Sequence, residues 1–164
     1  MTERKPLVIG LTGQTGAGKT TVSEAFAKHG YAVINADQVA RDVTAEPEVL
    51  ARLAELFGEE ILLPDGALDR KALGARVFSD PAELQKLDGI LYPIIVSRIE
   101  NQIRQLSAAG RRYILLDAPT LFESGADRLC DKTVAVLAEE TLRKERIIKR
   151  DKLTPDAAAS RIAA

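Results

Sequence analysis

Gly13-Gln14-Thr15-Gly16-Ala17-Gly18-Lys19-Thr20 is the stretch from which the rest of the chain can be placed. It fits a phosphate-binding template of Gly, four free positions, Gly, Lys and a hydroxyl residue. The flanks agree with that reading. Leu7-Val8-Ile9 is an apolar run that predicts a buried strand, and the spacing of Val22, Ala25, Phe26 and His29 predicts a helix with those residues on one face. Strand, glycine-rich loop and helix N-terminus together aim backbone N–H groups at one point, where an anion of high charge density can sit. Gly13, Gly16 and Gly18 let the main chain come close to it, with Ala17 between them. Lys19 is a point charge that can follow the β- and γ-phosphates of a nucleotide. Thr20 is a suitable hydroxyl ligand for the magnesium ion that travels with them, and Thr21 follows it in the helix. The motif selects nucleotide phosphate and is silent on the reaction.

With 164 residues, 46% of them hydrophobic and 29% charged, the chain has the composition of one globular domain, or of one core with an inserted subdomain. A formal net charge of -1 gives no global attraction to a nucleic-acid backbone or an anionic membrane. Cys130 is the single cysteine and cannot form an internal disulfide, which fits a reducing cytosol. The segment Met1-Thr2-Glu3-Arg4-Lys5-Pro6 mixes an acid with its bases and leads directly into a strand, so it does not read as a signal peptide. No apolar run approaches the roughly eighteen residues of a membrane span. The expectation is a soluble cytoplasmic protein with no nucleic-acid or membrane partner.

Along the chain, the first helix is expected to stop at Gly30, with His29 in its last turn either capping carbonyls or favouring the helix dipole. Tyr31-Ala32-Val33-Ile34 predicts a second buried strand, ending in Asn35-Ala36-Asp37. Ligands gather at the carboxyl ends of strands in a doubly wound sheet, so Asp37 falls on the same edge as the phosphate loop. Asp37 is also a good N-cap for a helix beginning with Gln38-Val39-Ala40-Arg41, and both readings stand. From Pro47 to about Gly110 the pattern is helical and too long for a simple crossover, which predicts an inserted helical subdomain. Pro47 suits a first helical position, and Val49, Leu50, Leu53, Leu56 and Phe57 form a stripe ending at Gly58. Asp69 and Asp80-Pro81-Ala82-Glu83 mark two further helix starts. Tyr92-Pro93 is expected to break the pattern before a longer helix carrying Ile95, Ile99, Ile103 and Leu106.

Tyr113-Ile114-Leu115-Leu116 predicts a third buried strand with Asp117 at its carboxyl end, where an acid can reach the magnesium water shell or a substrate hydroxyl. The residue after it is Ala118, so the acidic pair that many ATP hydrolases place here is missing. Thr133 to Leu137 predicts a fourth strand. Glu139 to Arg150 predicts a helix rich in Arg143, Lys144, Arg146, Lys149 and Arg150, either a solvated basic face or a lid that brings arginines over a transferring phosphoryl group. Thr154-Pro155 caps a last helix, which is still running at Arg161-Ile162-Ala163-Ala164. Four strands separated by helices predict a parallel sheet with right-handed crossovers covering both faces.

Four segments together resemble the dephospho-CoA kinase family: the phosphate loop, Asn35-Ala36-Asp37-Gln38-Val39-Ala40-Arg41, Asp117-Ala118-Pro119-Thr120-Leu121-Phe122-Glu123, and Arg146 through Arg150-Asp151 to Arg161-Ile162. The resemblance covers nearly the whole chain. It implies an α/β, P-loop NTPase-type three-layer parallel sheet. Residues 1–164 would form one kinase domain, with a helical acceptor-binding insertion at about 38–110 and a helical lid at about 139–155. It implies transfer of the γ-phosphate of ATP to the 3'-hydroxyl of dephospho-CoA, with magnesium. Under that resemblance Gly13, Gly16, Ala17, Gly18, Lys19, Thr20 and Thr21 bind ATP, and Thr20 serves the metal. Lys19, Asp37, Arg146 and Arg150 are catalytic, and Asp37, Arg41, Tyr92, Pro93 and Asp117 serve the acceptor.

The sequence departs from the family pattern in places. Asn35 stands where the family has an acid, Tyr92 where it has a histidine, and Arg143 where a glutamine is common. Family members continue through a final strand and helix that help hold the adenine, and this sequence stops at Ala164, ahead of them. Two other readings of the chain are a kinase for another small alcohol or nucleotide, and a nucleotide-binding module without turnover. A GTPase switch requires a guanine-selecting Asn-Lys-x-Asp segment, which does not occur.

Overall fold

The computed structural model describes residues 4–163, so Met1–Glu3 of the expected run-in and the final residue, Ala164, lie outside the described residues. Four strands, β1 (Leu7–Gly13), β2 (Ala32–Asn35), β3 (Tyr113–Asp117) and β4 (Lys132–Val136), form one sheet in the order β2-β3-β1-β4. Every pairing is parallel. Burial follows position in the sheet. In β3 the run Ile114-Leu115-Leu116-Asp117 is buried throughout, as expected of a central parallel strand covered on both faces. β2 alternates buried and exposed residues, and β4, on the opposite edge, is mostly exposed.

The helices are α1 (Lys19–Lys28), α2 (Ala36–Val43), α3 (Pro47–Phe57), α4 (Arg70–Phe78), α5 (Pro81–Ala108), α6 (Glu140–Asp151) and α7 (Pro155–Ala163). The chain divides into two compact units. One ends at Asn35 and resumes at Gln102, and the other is Ala36–Asn101. The first holds the sheet with α1, α6 and α7. Its core is built on Val8, Leu11, Ile34, Ile114, Leu115, Leu116 and Leu121. The second is helical, with a core of Val43, Val49, Leu53, Phe57, Ile61, Val77, Val96 and Ile99. Within it Asp69 caps α4 by accepting the Ala72 N–H at 3.0 Å, and Arg98 binds the Glu46 carboxylate through both Nε and Nη2.

The structure corrects several local expectations. Pro93 does not break a helix, because α5 runs unbroken from Pro81 to Ala108 with Pro93 inside it. The lost N–H and ring clash cost about 3 kcal/mol. A long helix with Leu87, Ile90, Ile95, Val96 and Ile99 buried offsets one missing bond. α2 begins at Ala36, so Asp37 lies in its first turn and does not cap a helix starting at Gln38. In α3 the buried stripe is Val49, Leu53 and Phe57 at strict four-residue spacing, and Leu56 is exposed. In α1 the buried residue is Ser23, whereas Ala25 and His29 are exposed. The connection from β3 to β4 contains only a 3-10 turn at Ala126–Leu129, so the third crossover lacks an α-helix. His29 does cap, with Nδ1 2.8 Å from the Ala25 carbonyl oxygen.

Candidate active site

The strand order places a topological switch between β1 and β3. The connection from β1 runs to the β2 edge, and that from β3 runs to the β4 edge. Crevices at such points are the usual ligand sites of open parallel sheets, on the side of the strand carboxyl ends. Leu11 of β1 is level with Asp117 of β3, which is level with Asn35 of β2. The phosphate loop leaves β1 just beyond that row. It is tied down by Gln14 N–H donating to the Val136 carbonyl at 3.2 Å and Ala17 N–H donating to the Gln14 carbonyl at 3.0 Å. Gly16 and Gly18 have φ of 79° and 98°, the left-handed region where a side chain is strained. Gly18 directly precedes α1, and Thr20 and Thr21 are exposed in its first turn.

Lys19 Nζ and the Asp117 carboxylate form an ion pair. Asp117 is 7% exposed, and a carboxylate so far removed from water requires a charged or hydrogen-bonding partner. The loop lysine and the acid at the end of β3, singled out separately in the sequence, are therefore in direct contact. Thr12 Oγ1 donates to the Pro119 carbonyl at 3.1 Å, and Ala118 N–H donates to the Leu11 carbonyl at 2.9 Å, which fixes the backbone on either side of the pair.

α6 comes onto the loop from the other direction. Arg146 Nη1 donates to the Gly16 carbonyl at 3.3 Å, and a Cβ on Gly18 would lie 3.5 Å from the same nitrogen. Ile147 is fully buried. Arg143, which the sequence did not single out as a site residue, is 9% exposed and donates through Nε to the Thr15 carbonyl at 3.0 Å. A signal for it was present, since Arg143 precedes Ile147 by four residues and so shares the inward face of a helix that is otherwise almost wholly charged. Arg150 is elsewhere. It pairs with Asp151 at 2.7 and 2.9 Å, and Asp151 also binds Arg161 of α7. That hydrogen bonding holds the Asp151 carboxyl below its usual range and pushes the Arg150 guanidinium up.

The remaining sequence candidates belong to the helical unit. Asp37 and Arg41 are exposed, in the first and last turns of α2. Tyr92 and Pro93 lie in α5, and Tyr92 hydrogen-bonds Asp88 one turn earlier. Burial raises the Asp88 carboxyl, and that bond partly offsets the rise.

The described residues contain no cluster of three or more His, Cys, Asp or Glu side chains able to hold a metal by themselves. The Thr20 hydroxyl at the end of the loop and the Asp117 carboxylate at the end of β3 do fit magnesium. That ion keeps several waters and takes one or two protein ligands beside substrate phosphates. Among the described residues no helix is long and apolar enough to cross a membrane.

The chain matches the family model described as dephospho-CoA kinase over residues 7–164. It is 42% identical over 159 residues to a dephospho-CoA kinase of Anaeromyxobacter dehalogenans, covering 96% of this chain and 75% of that protein. It is 38% identical over 157 residues to one of Bacillus licheniformis, covering 95% and 78%. Among solved structures, TT1252 from Thermus thermophilus superposes with a TM-score of 0.82 at 32% identity, covering 96% of this chain and 79% of that one. The dephospho-CoA kinase from Campylobacter jejuni, at 24% identity and a TM-score of 0.64 over 98% and 80% of the two chains, shares the fold. A parallel sheet opened at a switch point, a phosphate loop whose lysine meets the strand-end acid, and a match over nearly all of its length agree that the chain belongs to the dephospho-CoA kinase family.

Proposed function

We infer that this chain transfers the γ-phosphate of ATP to the 3'-hydroxyl of dephospho-CoA, giving coenzyme A. The observation that carries the reading is the family match over residues 7–164, which includes the loop, the strand-end acid and the basic helix α6. Phosphoryl transfer asks a protein chiefly to align donor and acceptor and to stabilise charge on the moving group. The backbone from Gly13 to Gly18, with Lys19, Thr20 and Thr21, receives the triphosphate. Lys19 exchanges its partner Asp117 for phosphate oxygens, and Arg146 and Arg150 of the lid add positive charge. Asp37 orients the acceptor hydroxyl and takes its proton as the new oxygen–phosphorus bond forms and the bond to the leaving ADP breaks. Thr20 with Asp117 would hold a magnesium ion bound with the nucleotide, which would supply neutralisation of phosphate charge. The helical insertion at about 38–110 grips the acceptor through Arg41, Tyr92 and Pro93, Asp117 at the end of β3 also serves the acceptor, and the lid spans about 139–155. The setting is the cytoplasm.

An acceptor panel tests this. With ATP and magnesium, the chain is expected to phosphorylate dephospho-CoA and to leave adenosine, AMP and shikimate unreacted. Equal turnover of another acceptor, or none with dephospho-CoA, would overturn it.

A further inference from the structure

We propose that Arg143 is a positioning residue for the phosphoryl donor, turning the Thr15–Gly16 peptide so that the Gly16 N–H is presented to a phosphate oxygen. The proposal rests on the reading that this loop binds ATP. It begins from a charge the reaction scheme does not use. Arg143 is 9% exposed, yet no carboxylate of the described residues pairs with it. Keeping a cation there costs desolvation free energy, so its hydrogen bonding matters. Its one hydrogen bond among the described residues runs from Nε to the Thr15 carbonyl at 3.0 Å.

That carbonyl has no backbone donor among the described residues. The Gly16 N–H likewise donates to no backbone acceptor among them, in contrast to the Ala17 N–H, which is spent on Gln14. The Thr15 carbonyl and the Gly16 N–H belong to the same trans peptide plane and therefore point in opposite directions. Drawing the oxygen toward α6 turns the N–H away from α6 and leaves it free for an anion. Without such a hold, a glycine at φ 79° is the place where a peptide plane reverses easily. A reversed plane would present a carbonyl oxygen to the phosphates in place of a donor. The same face of α6 leaves no other room, since a Cβ on Gly16 would fall 2.7 Å from the Arg143 carbonyl oxygen and 3.0 Å from Ile147 Cγ1.

The test compares 15N-labelled parent, Arg143→Gln, which keeps an N–H donor without charge, and Arg143→Met, which keeps bulk without a donor. The Gly16 amide resonance is recorded without nucleotide, and ATP and dephospho-CoA affinities are measured by calorimetry. The Gln variant is expected to keep the parental Gly16 resonance and bind ATP within about threefold of the parent. The Met variant is expected to shift that resonance and lose about tenfold in ATP affinity, the scale of one well-placed hydrogen bond. Dephospho-CoA affinity should stay within about twofold in both. A Met variant with parental resonance and ATP affinity, a Gln variant as impaired as the Met variant, or equal losses for both ligands would overturn the proposal. Should the Met variant not fold, the Gln variant decides alone, because a displaced Gly16 resonance in it contradicts the role. A parent that bound no ATP would defeat the proposed function, while the nucleotide-free resonances would still judge Arg143.

Discussion

Lys19, the first residue of α1, is ion-paired with Asp117, the last residue of β3, so the loop lysine and the buried acid neutralise each other before nucleotide arrives. The pair joins stability to function. Lys19→Met leaves Asp117 charged and nearly buried without a partner, which is expected to cost on the order of 3 kcal/mol of stability in urea unfolding. The double variant Lys19→Met/Asp117→Asn should recover most of that stability and none of the turnover. A double variant no more stable than the single would show that the pair does not hold this edge together.

Under the proposed function Lys19 follows charge into the transition state, so its removal is expected to lower turnover by about a hundredfold to a thousandfold. That loss should persist in the stability-restored double variant. Activity returning with stability would reduce Lys19 to a structural role.

Gly16 and Gly30 have similar φ, 79° and 89°, but different surroundings. A Cβ at Gly30 meets nothing within 4 Å, whereas one at Gly16 meets the α6 backbone. Gly30→Ala should therefore cost only backbone strain, about 1–2 kcal/mol. Gly16→Ala should cost clearly more and also weaken ATP binding. Equal melting temperatures for the two variants would mean that α6 does not press on the loop in solution.

These contacts mark where sequence reading stops. The loop, the four strands and Asp117 were legible because glycine spacing and short apolar runs are local signals. Pro93 misled, because the penalty of a proline inside a helix is local while the burial of Ile90, Ile95, Val96 and Ile99 that outweighs it is tertiary. Arg143 stayed hidden for a related reason. Its residue type fits a solvated basic helix, and although its four-residue offset from Ile147 marks the inward face, only the packing of α6 shows that it meets Thr15 there.

Burial, with the nearby charges of Asp127 and Asp131, pushes the Cys130 thiol up to about 11. At pH 8 an ordinary thiol is roughly one quarter thiolate, so Cys130 should react with iodoacetamide about two orders of magnitude more slowly. Its rate should keep rising about tenfold per pH unit through pH 10. A plateau near pH 9 would contradict that environment.

Asp37 is exposed in the first turn of α2, so Asp37→Asn loses little helix stability. If it is the general base and orienting group of the proposed function, it should nonetheless be worth about a hundredfold or more in turnover, with ATP affinity near the parental value. An Asn variant turning over at the parental rate would remove Asp37 from the reaction.

The most direct measurement is a single-turnover experiment in which ATP labelled in its γ-phosphate is mixed with excess protein, magnesium and dephospho-CoA, and the label is located in the products. The label is expected in the 3'-phosphate of coenzyme A, at a rate set by the presence of acceptor and lowered about a hundredfold or more in Lys19→Ala. Label released as inorganic phosphate at the same rate with and without dephospho-CoA, or left in ATP, would contradict the assignment.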